Sequence, residues 1–368
     1  MDLTIDRISF KNFRSYELFE LSNLGALTVF VGPNAVGKTN IIEGIQLLTA
    51  MQSFRHPTFD QIIREGSTFA CLEADLTDGN RDLNFSLRLN EGKRQYFLNG
   101  KSKRTSDLKG IIPSVTFTPD DLGLVKGSSG PRRAAIDALG SQLSVNHYVI
   151  KKDYEKVLRY KNRLLKEEAS PDLIASINET LVTCGAQLSY YRAALFEKLI
   201  PMVKSYYAAI VTGHEDMELC YIPSWETHDQ AKINSFFFNR NEARGNLECA
   251  LSRFNVEERA RKRAVIGPHA DHIEFFINQR NAGIYGSQGQ QRSLVLAFKL
   301  AEASLIQEVL HQKPILLLDD VMSELDASRR NALISFIEGD IQTFITTTNL
   351  AYFDQGLLNK ARVIKLAP

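Results

Sequence analysis

The segment Gly32-Pro-Asn-Ala-Val-Gly37-Lys38-Thr39 constrains this chain more than any other, because it dictates a local fold and a chemistry together. Its spacing is that of a phosphate-binding loop. The apolar run Leu27-Thr-Val-Phe-Val31 precedes it and Ile41-Ile-Glu-Gly-Ile-Gln-Leu-Leu48 follows, so a strand enters the turn and a helix leaves it. The backbone N–H groups of such a turn, together with the positive end of the helix, wrap a phosphate. Gly32, Pro33, Asn34, Ala35, Val36, Gly37, Lys38, Thr39 and Asn40 thus form the expected ATP-binding segment. Lys38 is expected to reach the β- and γ-phosphates and the Thr39 hydroxyl to ligate Mg²⁺.

Far downstream, Pro314-Ile-Leu-Leu-Leu-Asp319-Asp320 is an apolar run ending in two carboxylates. That is the pattern of a buried parallel strand with functional residues at its carboxyl end. Asp319 would hold Mg²⁺, and Asp320 would orient or deprotonate the attacking water, with Lys38 as the other catalytic group. The alternative is a core strand that simply ends in an acidic loop. A third segment, Tyr285-Gly-Ser287-Gln288-Gly289-Gln290-Gln-Arg292, opens a strongly amphipathic helix. Its N–H groups, the Ser287 hydroxyl and the Gln290 amide suit a phosphate, and the segment resembles the signature motif of ABC-type ATPases. An ordinary helix cap at Ser287 is the competing reading.

The 368 residues allow two or three domains, and 44% apolar residues suffice for their cores. Lys plus Arg number 44 and Asp plus Glu 43, so any nucleic-acid contact must come from local patches. Cys71, Cys184, Cys220 and Cys249 lie far apart without metal-ligand spacing, which suits reduced thiols. With no basic-then-apolar leader and no stretch near ~18 apolar residues, the expected location is the cytoplasm.

Residues 1–112 read as β structure around the phosphate-loop helix, with period-two patterning at 69–75 and 83–89 and a hairpin at Asn99-Gly100. Residues 113–269 read as an inserted helical arm. Ser170-Pro171 starts a helix whose apolar residues Ile174, Ile177, Leu181, Cys184, Leu188, Tyr191 and Leu195 recur at steps of three and four. The preceding helix shows similar spacing, interrupted by Lys161, and the short link at 167–170 makes the two antiparallel. A twenty-residue arm of this kind is about 30 Å long. Phe236-Phe-Phe238 reads as packing surface rather than a platform for bases. Residues 270–368 return to an alternating α/β order that carries the signature helix, the carboxylate strand and a strand ending at Thr346 and Thr347. With no histidine after that strand, a γ-phosphate sensor there would be a hydroxyl or Asn349.

These motifs join others across nearly the whole chain: Ile8-Ser-Phe-Lys-Asn-Phe13-Arg14-Ser-Tyr16, Phe117-Thr-Pro-Asp-Asp-Leu122, Gly267-Pro-His269 and Asp319-Asp-Val-Met-Ser323-Glu324-Leu-Asp326. Together they resemble the RecF family of bacterial recombination mediators, whose heads are related to those of SMC proteins. One departure is Gly267-Pro-His269-Ala-Asp-His272, where the family often reads Gly-Pro-His-Arg-Asp. The resemblance implies an ABC-type α/β head with a short arm, and it adds Arg14 to the ATP-binding residues. It makes Ser287, Gln288, Gly289 and Gln290 contacts to the partner subunit's nucleotide, and Ser323, Glu324 and Asp326 a loop coupling the two sites. It further implies an ATP-bound homodimer, slow and DNA-stimulated hydrolysis, and action at gaps and at junctions of single-stranded and duplex DNA. RecR and RecO are the implied partners. Lys101, Lys103 and Arg104 on the β lobe, and Lys151, Lys152, Lys156 and Arg159 on the arm, are the candidate DNA contacts. A small-molecule kinase would leave the Ser287 motif and the arm unexplained. A defence ATPase of the OLD type would need a nuclease domain beyond Asp320, for which the 48 residues that follow are too few.

Overall fold

In this computed structural model, residues 2–211, 213–226 and 238–367 are described. Their contacts divide the chain into two compact units, Met1–Asp121 with Phe298–Pro368, and Leu122–Ala297.

The first unit contains two sheets. Strands β1 (Thr4–Phe13), β2 (Tyr16–Leu21), β4 (Phe69–Thr77), β5 (Asp82–Asn90), β6 (Lys93–Leu98) and β7 (Lys101–Lys103) form an antiparallel sheet in the order β2-β1-β4-β5-β6-β7. In β4, Ala70, Leu72, Ala74 and Leu76 are buried while their neighbours face outward, the alternation of a sheet with one face on the core. The β6–β7 hairpin turns through Asn99 at φ 50° and Gly100 at φ 72°, the two left-handed residues that an Asn-Gly turn supplies at low cost. The second sheet, β14-β3-β13-β12-β8, is parallel and comprises β3 (Leu27–Val31), β8 (Ser114–Phe117), β12 (Ile315–Asp319), β13 (Thr343–Thr347) and β14 (Arg362–Lys365). Its central strands are buried on both faces, as their unbroken apolar runs require. Residues 113–117, expected in the arm, belong here because β8 pairs with β12.

Helix α1 (Lys38–Thr49) packs into a core shared by both sheets, and its Gly44 is where the Phe10 ring comes closest. A Cβ at Gly44 would lie 2.6 Å from that ring, so no larger residue fits.

The second unit is mainly helical: α2 (Ser129–Leu143), α3 (Val145–Lys166), α4 (Pro171–Ile210) and α5 (Arg240–Arg261), beside a small sheet β11-β10-β9 (Arg280–Asn281, His272–Ile277 and Met217–Ile222). Ser170 caps α4 and Pro171 occupies its first turn, as the sequence indicates. The helix runs 40 residues, twice the expected length, because its apolar stripe continues through Leu199, Val203 and Tyr207. Lys161 does not break the α3 stripe. It is fully buried and its Nζ donates to Glu258 Oε2 of α5 at 2.5 Å. Phe236 and Phe237 lie outside the described residues, whereas Phe238 packs edge-on against Trp225 with ring centroids 5.3 Å apart.

Arg192 of α4 anchors the polar centre of this unit. It donates two bonds to Asp137, at 2.9 and 2.8 Å, and one each to Pro268 O and Asp271 Oδ2, at 2.7 and 3.1 Å. Tyr221 Oη and the Ser224 N–H complete the shell of Asp271. The loop that departs from the family pattern is held here. Gly267 adopts φ 136° and lies against the Tyr154 hydroxyl, which meets His269 Nδ1 at 2.6 Å. Helix α6 (Gln288–Leu310) starts in this unit and ends in the first, and α7 (Ala327–Ile337) lies wholly in the first.

Candidate nucleotide site

The site collects at the carboxyl ends of three adjacent parallel strands. Strand β13 lies between β3 and β12, with Thr347 opposite Val31 and Thr346 opposite Asp319. This arrangement puts the turn after β3, the carboxylates after β12 and the hydroxyls of β13 on one rim, where open parallel sheets bind ligands.

The turn has the shape its glycines permit. Gly37 adopts φ 100°, and a Cβ there would sit 2.7 Å from the Tyr16 hydroxyl. Ala35 also takes a positive φ, at 66°. Helix α1 starts at Lys38 with no side-chain cap and no acidic residue in its first turn, which leaves its positive end to an external anion. The Lys38 ammonium folds back on the loop and donates to Gly32 O at 2.7 Å and Pro33 O at 2.8 Å. Asn40 bonds to Ser15 and accepts from Arg55.

Across the rim, Asp319 Oδ1 accepts from the Thr39 hydroxyl at 3.0 Å and the Thr346 hydroxyl at 2.8 Å. Burial, only partly offset by these hydroxyls, raises the Asp319 pKa. Asp320 adopts φ 53°, a left-handed conformation, and its N–H is held by both Thr346 O at 3.1 Å and Thr346 Oγ1 at 3.0 Å. Its Oδ1 is buried without a hydrogen-bond partner among the described residues. Burial raises its pKa as well, against the pull of Lys38. A phosphate loop with an uncapped helix, a hydroxyl on a metal-type carboxylate and an orphan carboxylate oxygen fit a nucleotide carrying a divalent cation.

Arg14 has a different environment from the one expected. Its guanidinium grips the fully buried Glu43 at 2.9 and 2.6 Å and donates to Gln61 O at 2.6 Å. Ser53 and Arg55 share that carboxylate, at 2.6 and 3.5 Å. Glu43, Ser53 and Arg55 carry no motif and were not singled out in the sequence. The hydroxyls at the end of β13 are the expected sensors, yet Thr346 turns to Asp319, Thr347 bonds to Asn349, and the Asn349 side chain caps the next turn.

The signature segment falls in the other unit. The Ser287 N–H donates to Gln290 Oε1 at 2.8 Å and the Gln290 N–H to Ser287 Oγ at 3.2 Å, a reciprocal cap that leaves Ser287 and Gln288 exposed. Gln290 Nε2 is fixed by Glu215 at 2.9 Å. In the segment after Asp320, Ser323 bonds to Asp320 O, Asp326 caps α7, and Glu324 is exposed. Of the basic candidates, Lys101 and Lys103 are exposed on the edge strand β7, and Arg104 pairs with Asp107. Lys151 pairs with Glu155, and Lys152 lies over the Tyr148 ring.

Residues 4–365 match the family described as the RecF/RecN/SMC N terminal domain. The chain belongs to this family. Among its relatives, the DNA replication and repair protein RecF of Rippkaea orientalis is 36% identical, covering 99% of this chain and 97% of its own. The RecF protein of Bacillus cereus is 33% identical, covering 98% and 96%. Among solved structures, that of the recombination mediator protein RecF-ATP in the RecFOR pathway has a TM-score of 0.87 at 27% identity, covering 96% of this chain and 94% of that one. An SMC head from Pyrococcus furiosus has a TM-score of 0.55 at 16% identity, covering 99% and 93%, and shares the fold. Within this family, the head is an ABC-type ATPase fold with mixed sheets and helices, as the motifs imply. No helix among the described residues is long and apolar enough to cross a membrane.

Proposed function

We propose that this chain is a RecF-type, ATP-dependent DNA-binding protein of replication and recombinational repair. The observation that carries the proposal is the rim itself: Thr39 at 3.0 Å from Asp319, beside an Asp320 carboxylate with an unsatisfied buried oxygen, below an uncapped helix. ATP with Mg²⁺ supplies the charge that this arrangement lacks. Lys38 leaves the loop carbonyls to meet the β- and γ-phosphates. Thr39 and Asp319 hold the metal, and Asp320 orients and deprotonates the attacking water. Arg14 steadies α1 with three of its five N–H donors, two on Glu43 and one on Gln61 O, and turns the others to the nucleotide.

Ser287, Gln288, Gly289 and Gln290, preset by their reciprocal cap, contact the nucleotide of a second copy, and Ser323, Glu324 and Asp326 link the two sites. ATP thereby closes a two-fold dimer and hydrolysis opens it, so turnover is slow and serves assembly. The head is residues 1–121 and 298–368, and the inserted helical unit is the arm. DNA at single-strand gaps and junctions is the substrate of the closed state, with RecR and RecO as the protein partners that the family points to.

Sizing the protein with no nucleotide, with ADP and with ATP, each with and without duplex DNA, tests this reading. Wild type should dimerise only with ATP. Lys38→Ala should stay monomeric, with nucleotide affinity weakened by about 2 to 4 kcal/mol on loss of a charge-assisted contact. Equal calorimetric affinity in wild type and variant would overturn the assignment of the phosphate loop.

A further inference from the structure

Helix α3 carries Lys152, Lys156, Arg159, Arg163 and Lys166 on exposed positions. At 100° per residue these five fall within an arc of about 80° and run about 21 Å along the axis. The rotation of the helix is fixed from behind. Tyr154, Lys161, Leu164 and Leu165 are buried, and the Lys161–Glu258 pair, with Ala264 N donating to Asn162 Oδ1 at 2.7 Å, ties α3 to α5 and the chain after it. Lys151 lies outside the arc and is neutralised by Glu155 at 3.3 Å. Among the described residues Lys156, Arg159 and Lys166 have no ion-pair partner, and Arg163 has only a distant one, Glu167 at 3.9 Å. A chain with formal net charge +1 thus concentrates cations on one fixed stripe of its arm.

We propose that this stripe is a track for one strand of the DNA backbone. The inference rests on the DNA-binding reading above and assigns its contact surface. Steps of three and four residues set the cations about 4.5 and 6 Å apart along the axis, so the run presents five charges to successive phosphates of one strand over about 21 Å. An acidic protein surface is the weaker match, because protein interfaces centre on buried aromatic and apolar anchors. The aromatic rings along the stripe are covered by its own cations: Arg163 lies 5.0 Å from the Tyr160 centroid and Lys152 5.1 Å from that of Tyr148. The track reads no sequence, since phosphate contacts position a protein without specifying bases.

The test is fluorescence anisotropy with the full chain, ATP and a labelled duplex bearing a single-stranded tail, titrated at several salt concentrations. The variant Lys156→Glu/Arg159→Glu/Arg163→Glu/Lys166→Glu should bind at least about tenfold more weakly, and its log affinity should depend on log salt with a slope smaller by about three to four. The matching glutamine variant should give an intermediate loss, which keeps the test valid if charge reversal disturbs folding. Reversal of Lys101, Lys103 and Arg104 should cost less, and ATP-driven dimerisation should survive in every variant. Wild-type affinity and salt slope in both arm variants would overturn the track, and with it the assignment of this stripe, while leaving the DNA-binding reading intact. Failure of the wild type to bind DNA would overturn both. Intact DNA binding with loss of a protein partner in the arm variants would reassign the stripe to that partner.

Discussion

The polar centre of the helical unit and the phosphate-loop rim treat buried charge in opposite ways. At the centre of the helical unit the buried ions are matched: Arg192 is shared between Asp137, Asp271 and the Pro268 carbonyl, and Lys161 is closed by Glu258. At the phosphate-loop rim the matching is incomplete. Asp320 keeps an orphan oxygen, α1 lacks a cap, and Lys38 rests on neutral carbonyls. Matched groups give stability and leave no valence for a ligand, whereas unmatched ones cost stability and offer contacts that a ligand completes. A polar group's deletion should therefore affect folding at the helical centre and chemistry at the rim.

The largest effect should come from Arg192→Ala. It leaves the carboxylates of Asp137 and Asp271 buried without their cation, which typically costs about 3 to 5 kcal/mol. Asp137, held well below the usual carboxylate range by Arg192 and His147 against the cost of its burial, loses the stronger of those two partners. Urea denaturation followed at Trp225 should show the loss. A midpoint unchanged from wild type would mean that the network is solvated or dispensable, and the contrast between units would fail.

Asp320→Asn should do the reverse. The amide cannot accept the proton, so hydrolysis should fall by about 10² to 10⁴ while ATP binding and the unfolding midpoint hold. Because burial raises the Asp320 pKa, the wild-type hydrolysis rate should fall on the acid side at a higher pH than an ordinary aspartate would give. A steady-state phosphate-release assay across pH checks both. Wild-type turnover in the variant would remove Asp320 from the chemistry.

How far the sequence could be read follows the same division. The phosphate loop, the carboxylate strand and the hairpin at Asn99-Gly100 were legible because short-range chemistry dictates them: glycine conformations, an apolar run and a helix start. Lys161 was misread as a break in the stripe because its partner Glu258 lies 97 residues away, and no local pattern announces a buried pair. Glu43 is illegible because its partners Arg14 and the pair Ser53 and Arg55 converge from two separate segments that share no motif. The length of α4 exceeds what its stripe to Leu195 indicates, because Pro201, a helix breaker by propensity, is accommodated inside the helix. Local signals thus revealed the site and missed the cross-chain pairs that hold its surroundings.

A smaller effect should follow pH in the helical unit. Burial pushes His269 down to about 4, so its imidazole stays neutral in the fold where the unfolded chain protonates near 6.5. A depressed folded pKa contributes stability that is complete above the unfolded value and is lost as pH falls from about 6.5 toward 4, by up to about 3 kcal/mol. His269→Asn should flatten that part of the stability profile. Parallel profiles for the two proteins would show that another group carries the acid sensitivity.

The smallest effect should separate the two roles at a single residue of the rim. Thr346 is fully buried, donates to Asp319 at 2.8 Å and accepts from the Asp320 N–H at 3.0 Å, so one hydroxyl orients one carboxylate and steadies the left-handed turn of the other. Thr346→Val keeps the shape and removes the hydroxyl. Asp319 retains Thr39, and the Asp320 N–H retains the Thr346 carbonyl, so the cost should be about 1.5 kcal/mol, the low end for a hydrogen bond to a charged group. If the residue positions the carboxylates, kcat should fall about tenfold, the Mg²⁺ requirement should rise, and ATP affinity without metal should stay unchanged. Thr346→Ser, which restores the hydroxyl, should recover most of the rate. A purely structural role would lower the unfolding midpoint of the valine variant, leave the Mg²⁺ titration alone and give no recovery of the rate with serine.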